Sequence, residues 1–100
     1  PWTVATYMIA GEGSKDHGPA RLLAYRDPAR MQAIIDAIVE VSVTYLRGQI
    51  DAGAEAVQLF DSWAGSLAPD QFEKWVIAPN AAITAKLKES HPDTPVIGFP

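Results

Sequence analysis

The segment Glu55–Phe60, EAVQLF, runs into Asp61–Gly65, DSWAG, so an apolar stretch closes on polar and glycine residues. This composition, with Gly53 before it, predicts a β-strand that ends at Phe60. A second junction of the same kind is expected where Thr3–Ile9, TVATYMI, meets Gly11–Ser14, GEGS. Parallel α/β folds carry their chemistry at the carboxyl ends of the strands, so the two junctions mark the candidate site.

Helices are predicted on both sides of the Glu55–Phe60 strand. Asp27 and Pro28 begin the first helix, since aspartate caps free amides and proline suits the first helical position. A buried stripe at three- and four-residue intervals continues to the stop at Gly53. The residues of this stripe are Met31, Ile34, Ile35, Ile38, Val39, Leu46 and Ile50.

Pro69 begins the next helical stretch, which extends to about Ser90 and which Pro79 either kinks or divides into two helices. Pro95–Phe99 is predicted as a third strand after a turn. Residues 14–25 are expected to form a long loop, a possible lid, with one helical turn at residues 20–24.

The resulting order is strand, helix, strand, helix, strand, which predicts an α/β fold with three parallel strands. Connections of more than twenty residues that contain a helix return the chain, so consecutive strands run in the same direction. If the first two strands are neighbours, the phenol of Tyr7 and the hydroxyl of Ser62 can face one pocket.

Length and composition limit what the chain can be. One hundred residues make at most one domain, and 48% apolar with 20% charged residues is an ordinary globular composition. The chain begins at Pro1 without a methionine and stops at Pro100 after an apolar run. We therefore expect a piece of a longer protein.

Charge and cysteine content exclude several classes of function. Eight basic and twelve acidic side chains give a formal net charge of −4, and no basic stripe suggests a nucleic-acid partner. The absence of cysteine excludes disulfides and thiolate metal sites within this stretch. No metal-ligand cluster is apparent. No apolar run is long enough to span a membrane, so a soluble protein is expected.

Known catalytic motifs do not fit. In the glycine loop, Asp16 occupies the position of the third glycine of G-x-G-x-x-G, and Pro19 replaces the P-loop lysine. Ser62 lacks both glycines of the hydrolase elbow G-x-S-x-G. His17 and His91 are expected to face solvent without a carboxylate partner, so a nucleophilic triad is not predicted.

Three residues at the junctions keep two interpretations each. Tyr7 either lines a binding pocket or packs with its hydroxyl at the surface. Ser62 either binds a ligand or only makes hydrogen bonds at the strand end. Asp61 is either a helix cap or supporting residue, or an acid; Trp63 and Trp75 are expected to pack.

Several blocks of the chain together resemble uroporphyrinogen decarboxylases of the bacterial haem-pathway type. The similarity runs along the whole chain, and the tryptophan-containing blocks make it specific. The matching blocks are Pro1-Trp2-Thr3, Thr6-Tyr7-Met8, Gly11-x-Gly13-Ser14, Gln49-x-x-Ala52-Gly53-Ala54, Val57–Gly65 and Ile97-Gly98-Phe99-Pro100.

The resemblance implies a (β/α)₈ TIM barrel in a cytoplasmic homodimer. Residues 1–100 would be the middle segment of the family's chain and would supply three strands and the helices between them. It implies a carboxy-lyase that removes carbon dioxide from the four acetate side chains of uroporphyrinogen III, giving coproporphyrinogen III without metal or organic cofactor. The family's substrate-binding tyrosine and serine correspond to Tyr7 and Ser62. Its other site residues lie outside this segment, which alone should not catalyse.

Two other functions stay open. Zinc-dependent corrinoid and thiol methyltransferases share the barrel, and an H-x-C motif just after Pro100 would favour them, whereas the DSWAG block argues for the decarboxylase. A non-catalytic α/β interaction or structural domain would be favoured if the 100 residues were natural, monomeric and stably folded by themselves.

Overall fold

A computed structural model describes residues 1–100, which form a mixed α/β segment with two parallel strands. Helices precede, separate and cover the strands. The elements are α1 (Trp2–Ala10), α2 (Gly18–Arg26), α3 (Pro28–Asp51), β1 (Val57–Phe60), a 3₁₀ turn (Ala64–Ser66), α4 (Pro69–Phe72), a π turn (Glu73–Ile77), α5 (Ala78–Ser90) and β2 (Val96–Phe99).

The prediction of a strand over Thr3–Ile9 is wrong, because these residues lie in helix α1. Trp2, Ala5 and Thr6 are buried, which is the spacing of one helical face. An almost continuous apolar run does not distinguish a buried strand from a buried helix, and packing overrides the β-propensity of threonine and valine. The sheet accordingly has two strands and not three.

Helix α2 replaces most of the predicted loop, since nine residues from Gly18 to Arg26 are helical. Pro19 stands at its amino-terminal end, where a missing N–H costs nothing. His17 precedes the helix with a left-handed backbone, φ 55°. The loop between α1 and α2 therefore comprises only residues 11–17.

Helix α3 begins and ends as predicted. The Asp27 carboxylate accepts a hydrogen bond from the Arg30 amide at 3.1 Å, which caps the first turn. Gly53 follows the last turn of the helix with φ 117°, a backbone conformation that only glycine adopts readily. Met31, Ile35 and Leu46 of the predicted stripe are buried in the core.

Pro69 begins the second helical region and Pro79 lies within it, immediately after a π turn. The Ala78 amide donates to the Glu73 carbonyl five residues back, which widens the helix ahead of the proline. A proline ring clashes with the carbonyl four residues earlier in a regular helix, and the wider turn relieves this crowding. The helix continues through Pro79 without a break.

Strands β1 and β2 are parallel, with Val57 opposite Val96 and Phe60 opposite Phe99. Helices α3 and α5 pack on the face that carries Val57 and Leu59, and the core lies there. The other face is apolar and open: Phe60 is 63% exposed and Phe99 54% exposed. The carboxyl ends of both strands lie at the edge where β1 leads into Asp61.

Candidate functional site

Asp61 follows β1 directly and joins this strand to helix α1. Its side chain is 1% exposed. Oδ1 accepts hydrogen bonds from both the amide and the hydroxyl of Thr3, each at 2.7 Å. Oδ2 accepts from the Trp2 amide at 3.4 Å and from Asn80 Nδ2 at 3.3 Å.

The carboxylate of Asp61 therefore caps α1 from a distant part of the chain. Pro1, the residue before the helix, makes no side-chain cap of its own. The first amides of a helix lack internal partners and carry a partial positive charge, which a carboxylate stabilises. Of the roles that the sequence left open for Asp61, the structure shows the capping role.

Trp63 is fixed two residues further along the chain. Its amide donates to Thr3 Oγ1 at 3.1 Å, and its carbonyl accepts from Ser66 Oγ at 2.8 Å. Ser66 Oγ in turn accepts from the Trp2 indole at 3.2 Å. The start of α1 and residues 61–66 thus form one hydrogen-bonded unit at the carboxyl end of β1.

Tyr7 reaches this unit from helix α1 and not from a strand end. The Trp63 indole Nε1 donates to Tyr7 Oη at 3.1 Å. Tyr7 is 46% exposed and Trp63 is 40% exposed, so both rings are open to solvent on one side. The expected packing role fits Trp75, which is fully buried, but not Trp63.

Ser62 lies in the turn between Asp61 and Trp63 and is exposed. Its hydroxyl makes no hydrogen bond within the chain, so it is available to an outside partner. Ser62 directly precedes Trp63, whose indole donates a hydrogen bond to Tyr7. Both groups lie on open surface: neither lines the cavity of about 280 Å³ that Asp61, Asn80 and Phe99 help to form.

The expectation that both histidines face solvent without a carboxylate partner is wrong for each in a different respect, because His17 is buried and His91 has a carboxylate partner. His17 is 8% exposed, and its ring lies 5.1 Å from the Trp63 ring at 34°. His91 Nε2 lies 2.7 Å from Asp51 Oδ1, and Ser90 Oγ lies 2.8 Å from His91 Nδ1. Asp51 is forty residues earlier, so no local pattern could have revealed this pair.

The loop before α2 holds one carboxylate with a shifted pKa. The Gly18 amide and then the Ser14 hydroxyl donate to Asp16, and they lower the pKa of this carboxyl from its ordinary 3.8. These bonds brace the loop that brings His17 onto Trp63. No group of three or more histidine, aspartate or glutamate side chains is arranged to hold a metal ion.

Comparison with known proteins identifies the family to which residues 1–100 belong. The uroporphyrinogen decarboxylase (URO-D) family model matches residues 1–100. Similar proteins include the uroporphyrinogen decarboxylase of Erythrobacter litoralis, 74% identical over 100 residues, and that of Sphingopyxis alaskensis, 70% identical over 100 residues. The decarboxylase of Novosphingobium aromaticivorans is 67% identical over the same length.

Each comparison covers 100% of this chain but 29% of the relative. The chain therefore spans less than a third of the length of the curated relatives it matches. No helix combines the length and the apolar character that crossing a membrane requires. The resemblance drawn from the TYM and DSWAG blocks is confirmed, and the chain belongs to the uroporphyrinogen decarboxylase family.

Proposed function

We propose that this chain is a segment of an enzyme that decarboxylates the four acetate side chains of uroporphyrinogen III to give coproporphyrinogen III. The family match over every residue carries the proposal. Neither a metal nor an organic cofactor is part of it. The protonated pyrrole serves as the electron sink: carbon dioxide leaves from the ring-bound acetate, and a second protonation gives the methyl group.

In this proposal, Tyr7 and Ser62 bind carboxylates of the substrate. The hydroxyl protons of both residues have no acceptor within the chain. Hydrogen bonds to charged acceptors such as carboxylates are stronger than bonds between neutral groups. The two residues lie at the carboxyl end of β1, where parallel folds place their ligands. Tyr7 orients a carboxylate near the reacting ring, and Ser62 holds another.

The charge of the segment sets a requirement for the rest of the protein. A chain with a net charge of −4 does not attract a substrate with eight carboxylates. The arginines that neutralise the substrate, and the groups that bind the pyrrole N–H groups, must therefore come from the remaining part of the chain. Binding should weaken with rising salt because these contacts are electrostatic.

The barrel belongs to the same proposal. The amides of Val57 and Asp61 donate to Pro95 and Phe99 of the β2 segment. Backbone groups alternate in direction along a parallel strand, so those of Gln58 and Phe60 point to the open side of β1. Such an edge accepts another strand, and the apolar face beside it suits the interior of a closed sheet.

A cytoplasmic location and a homodimer follow from the family resemblance and complete the proposal. The homodimer is tested by sedimentation of a full-length protein. A dimer that persists at nanomolar concentration would support it, and a monomer at micromolar concentration would contradict it. Fractionation of cells that express the protein tests the location.

The activity is tested in a chimaera in which these 100 residues replace the matching part of the Erythrobacter litoralis decarboxylase, with which they share 74% identity. The chimaera should convert uroporphyrinogen III to coproporphyrinogen III under anaerobic conditions. A folded chimaera without activity would contradict the proposal.

Tyr45 provides a matched control for Tyr7, because its phenol also accepts a side-chain N–H, from Gln49 at 3.1 Å.

Within the active chimaera, Tyr7→Phe and Ser62→Ala should each lower kcat/KM about tenfold, since each removes one hydrogen bond to a carboxylate. Tyr45→Phe should leave kcat/KM unchanged. Equal rates for Tyr7→Phe and the unmodified chimaera would remove Tyr7 from the site.

A further inference from the structure

Trp63 determines whether the Tyr7 hydroxyl acts as a donor or as an acceptor in the hydrogen bond that joins the two residues. An indole N–H is a donor and never an acceptor, so the hydrogen bond of 3.1 Å between these residues has one possible direction. The phenol oxygen accepts, and its own proton cannot return to Trp63. No other side chain or carbonyl of the chain receives that proton.

The phenol proton is therefore available to an acceptor outside the segment. A hydroxyl that accepts a hydrogen bond also becomes a better donor, because hydrogen bonds in a chain polarise one another. A cyclic tetrapyrrole with acetate and propionate side chains offers acceptors in its carboxylates and donors in its pyrrole N–H groups. The arrangement favours a carboxylate over a pyrrole N–H as the partner of Tyr7.

The indole itself is held from several sides. Thr3 Oγ1 accepts from the backbone amide of Trp63, and the buried ring of His17 lies 5.1 Å from the indole. Thr3 is fixed by the buried carboxylate of Asp61. The orientation of the Tyr7 hydroxyl thus depends on contacts that reach into the core beneath the site.

We propose that Trp63 is a positioning residue that holds the Tyr7 hydroxyl as a hydrogen-bond donor toward a substrate carboxylate. This inference rests on the proposed decarboxylase function, and it assigns Trp63 a role that acts through Tyr7. His17 supports it by holding the plane of the indole.

The test is a double-mutant cycle in the chimaeric decarboxylase with Tyr7→Phe, Trp63→Phe and the double variant, measured as kcat/KM. Trp63→Phe should lower kcat/KM about five- to tenfold when Tyr7 is present, and less than about twofold when residue 7 is phenylalanine. A role confined to folding would lower both backgrounds by the same factor. Equal factors, or no effect in either background, would overturn the inference.

A second replacement keeps the test decisive if Trp63→Phe disturbs the fold. Benzothienylalanine at position 63 retains the bicyclic ring and its contact with His17 but lacks the N–H. It should reproduce the loss seen with Trp63→Phe at an unchanged melting temperature, and full activity would contradict the inference. A folded but inactive unmodified chimaera refutes the decarboxylase proposal, whereas an active chimaera with equal factors refutes only the role of Trp63.

Discussion

At the scale of single residues, Asp61 does the most to position the candidate site. Its two oxygens accept four hydrogen bonds, from Trp2, Thr3 and Asn80, while the side chain is removed from water. A buried carboxylate is tolerated only when such donors surround it. Loss of these bonds would release the start of α1, and with it Tyr7.

Asp61→Asn should therefore destabilise the chimaeric protein by about 2 to 3 kcal/mol, because an amide group turns a donor toward donors that the carboxylate satisfied. Urea unfolding measures the change, and hydrogen exchange should show lost protection at the Thr3 amide. Asp36→Asn is the matched control. Asp36 is exposed and accepts only from Gln32, at 2.8 Å, so its replacement should change stability by less than about 0.5 kcal/mol.

The lowered pKa of Asp16, in the loop before α2, predicts how the stability of the protein depends on pH. Its pKa in the folded protein lies below the ordinary 3.8, since the Gly18 amide and the Ser14 hydroxyl favour the charged form. Its contribution to stability is thus complete above pH 3.8 and is lost as the pH falls through the folded-state value. Carbon NMR of the carboxyl should show this low pKa.

Ser14→Ala should move the pKa of Asp16 back toward its ordinary value, because one of the two main donors is lost. Ser42→Ala, in helix α3, removes a hydroxyl that does not touch Asp16 and should leave the titration curve in place. An unchanged curve in Ser14→Ala would show that the Ser14 hydroxyl does not act on this carboxylate.

Sequence reasoning identified Tyr7 and Ser62 as candidates but not the residues that hold them. The junction after β1 is visible as a local change from apolar to polar residues. The bond from Trp63 to Tyr7 joins positions 56 residues apart, and that from Asp61 to Thr3 joins positions 58 apart. Such contacts depend on how α1 docks on β1, which no local pattern encodes.

At the scale of secondary structure, α1 shows where propensity is a weak guide. Threonine and valine favour strands, yet the segment is helical because its apolar face packs in the core and Asp61 caps its first turn. The Thr6 hydroxyl donates to the Thr3 carbonyl at 2.6 Å, which satisfies a polar group within the helix. Helix α3 was predictable because Asp27, Pro28 and Gly53 mark its ends locally.

The two glycines at the end of α3 should respond to alanine in opposite directions. Gly53 has φ 117°, which strains any residue with a Cβ, so Gly53→Ala should cost roughly 1 to 2 kcal/mol. Gly48 lies inside the helix, and a Cβ there meets nothing within 4 Å. Gly48→Ala should stabilise the chimaera by about 0.5 to 1 kcal/mol.

Urea unfolding of the two variants checks this pair, and each serves as the control for the other. Neither added methyl group meets a neighbouring atom, so crowding cannot explain a difference. Destabilisation of both variants by the same amount would show that the backbone conformation at Gly53 is not the deciding factor.

At the scale of the whole molecule, two parallel strands leave a sheet that is covered on one side only. The helices cover the face of Val57 and Leu59, whereas Phe60, Ile97 and Phe99 remain exposed on the other. A two-stranded sheet is marginal by itself, and parallel sheets are normally buried on both faces. The residue pattern predicted parallel strands, which the structure shows, whereas a barrel was implied only by the family resemblance and stays a proposal.

If the rest of the decarboxylase chain closes the barrel, the open face becomes buried. The Phe60 and Phe99 rings lie 5.8 Å apart on that face, and replacing a buried phenylalanine with a small residue costs about 3 to 5 kcal/mol. Phe60→Ser with Phe99→Ser should therefore lower the stability of the chimaera by several kcal/mol. In the isolated 100-residue chain the same pair should reduce binding of the dye ANS, which reports exposed apolar surface.

Leu22→Ser is the control for this last comparison, since Leu22 is an exposed apolar residue on α2 and not on the sheet. It should change the stability of the chimaera by less than about 0.5 kcal/mol. If the phenylalanine pair were equally harmless in the chimaera, its side chains would be exposed there too. The proposal that this face lies in the packed interior of a barrel would then be wrong, because side chains fill the interior of a small barrel.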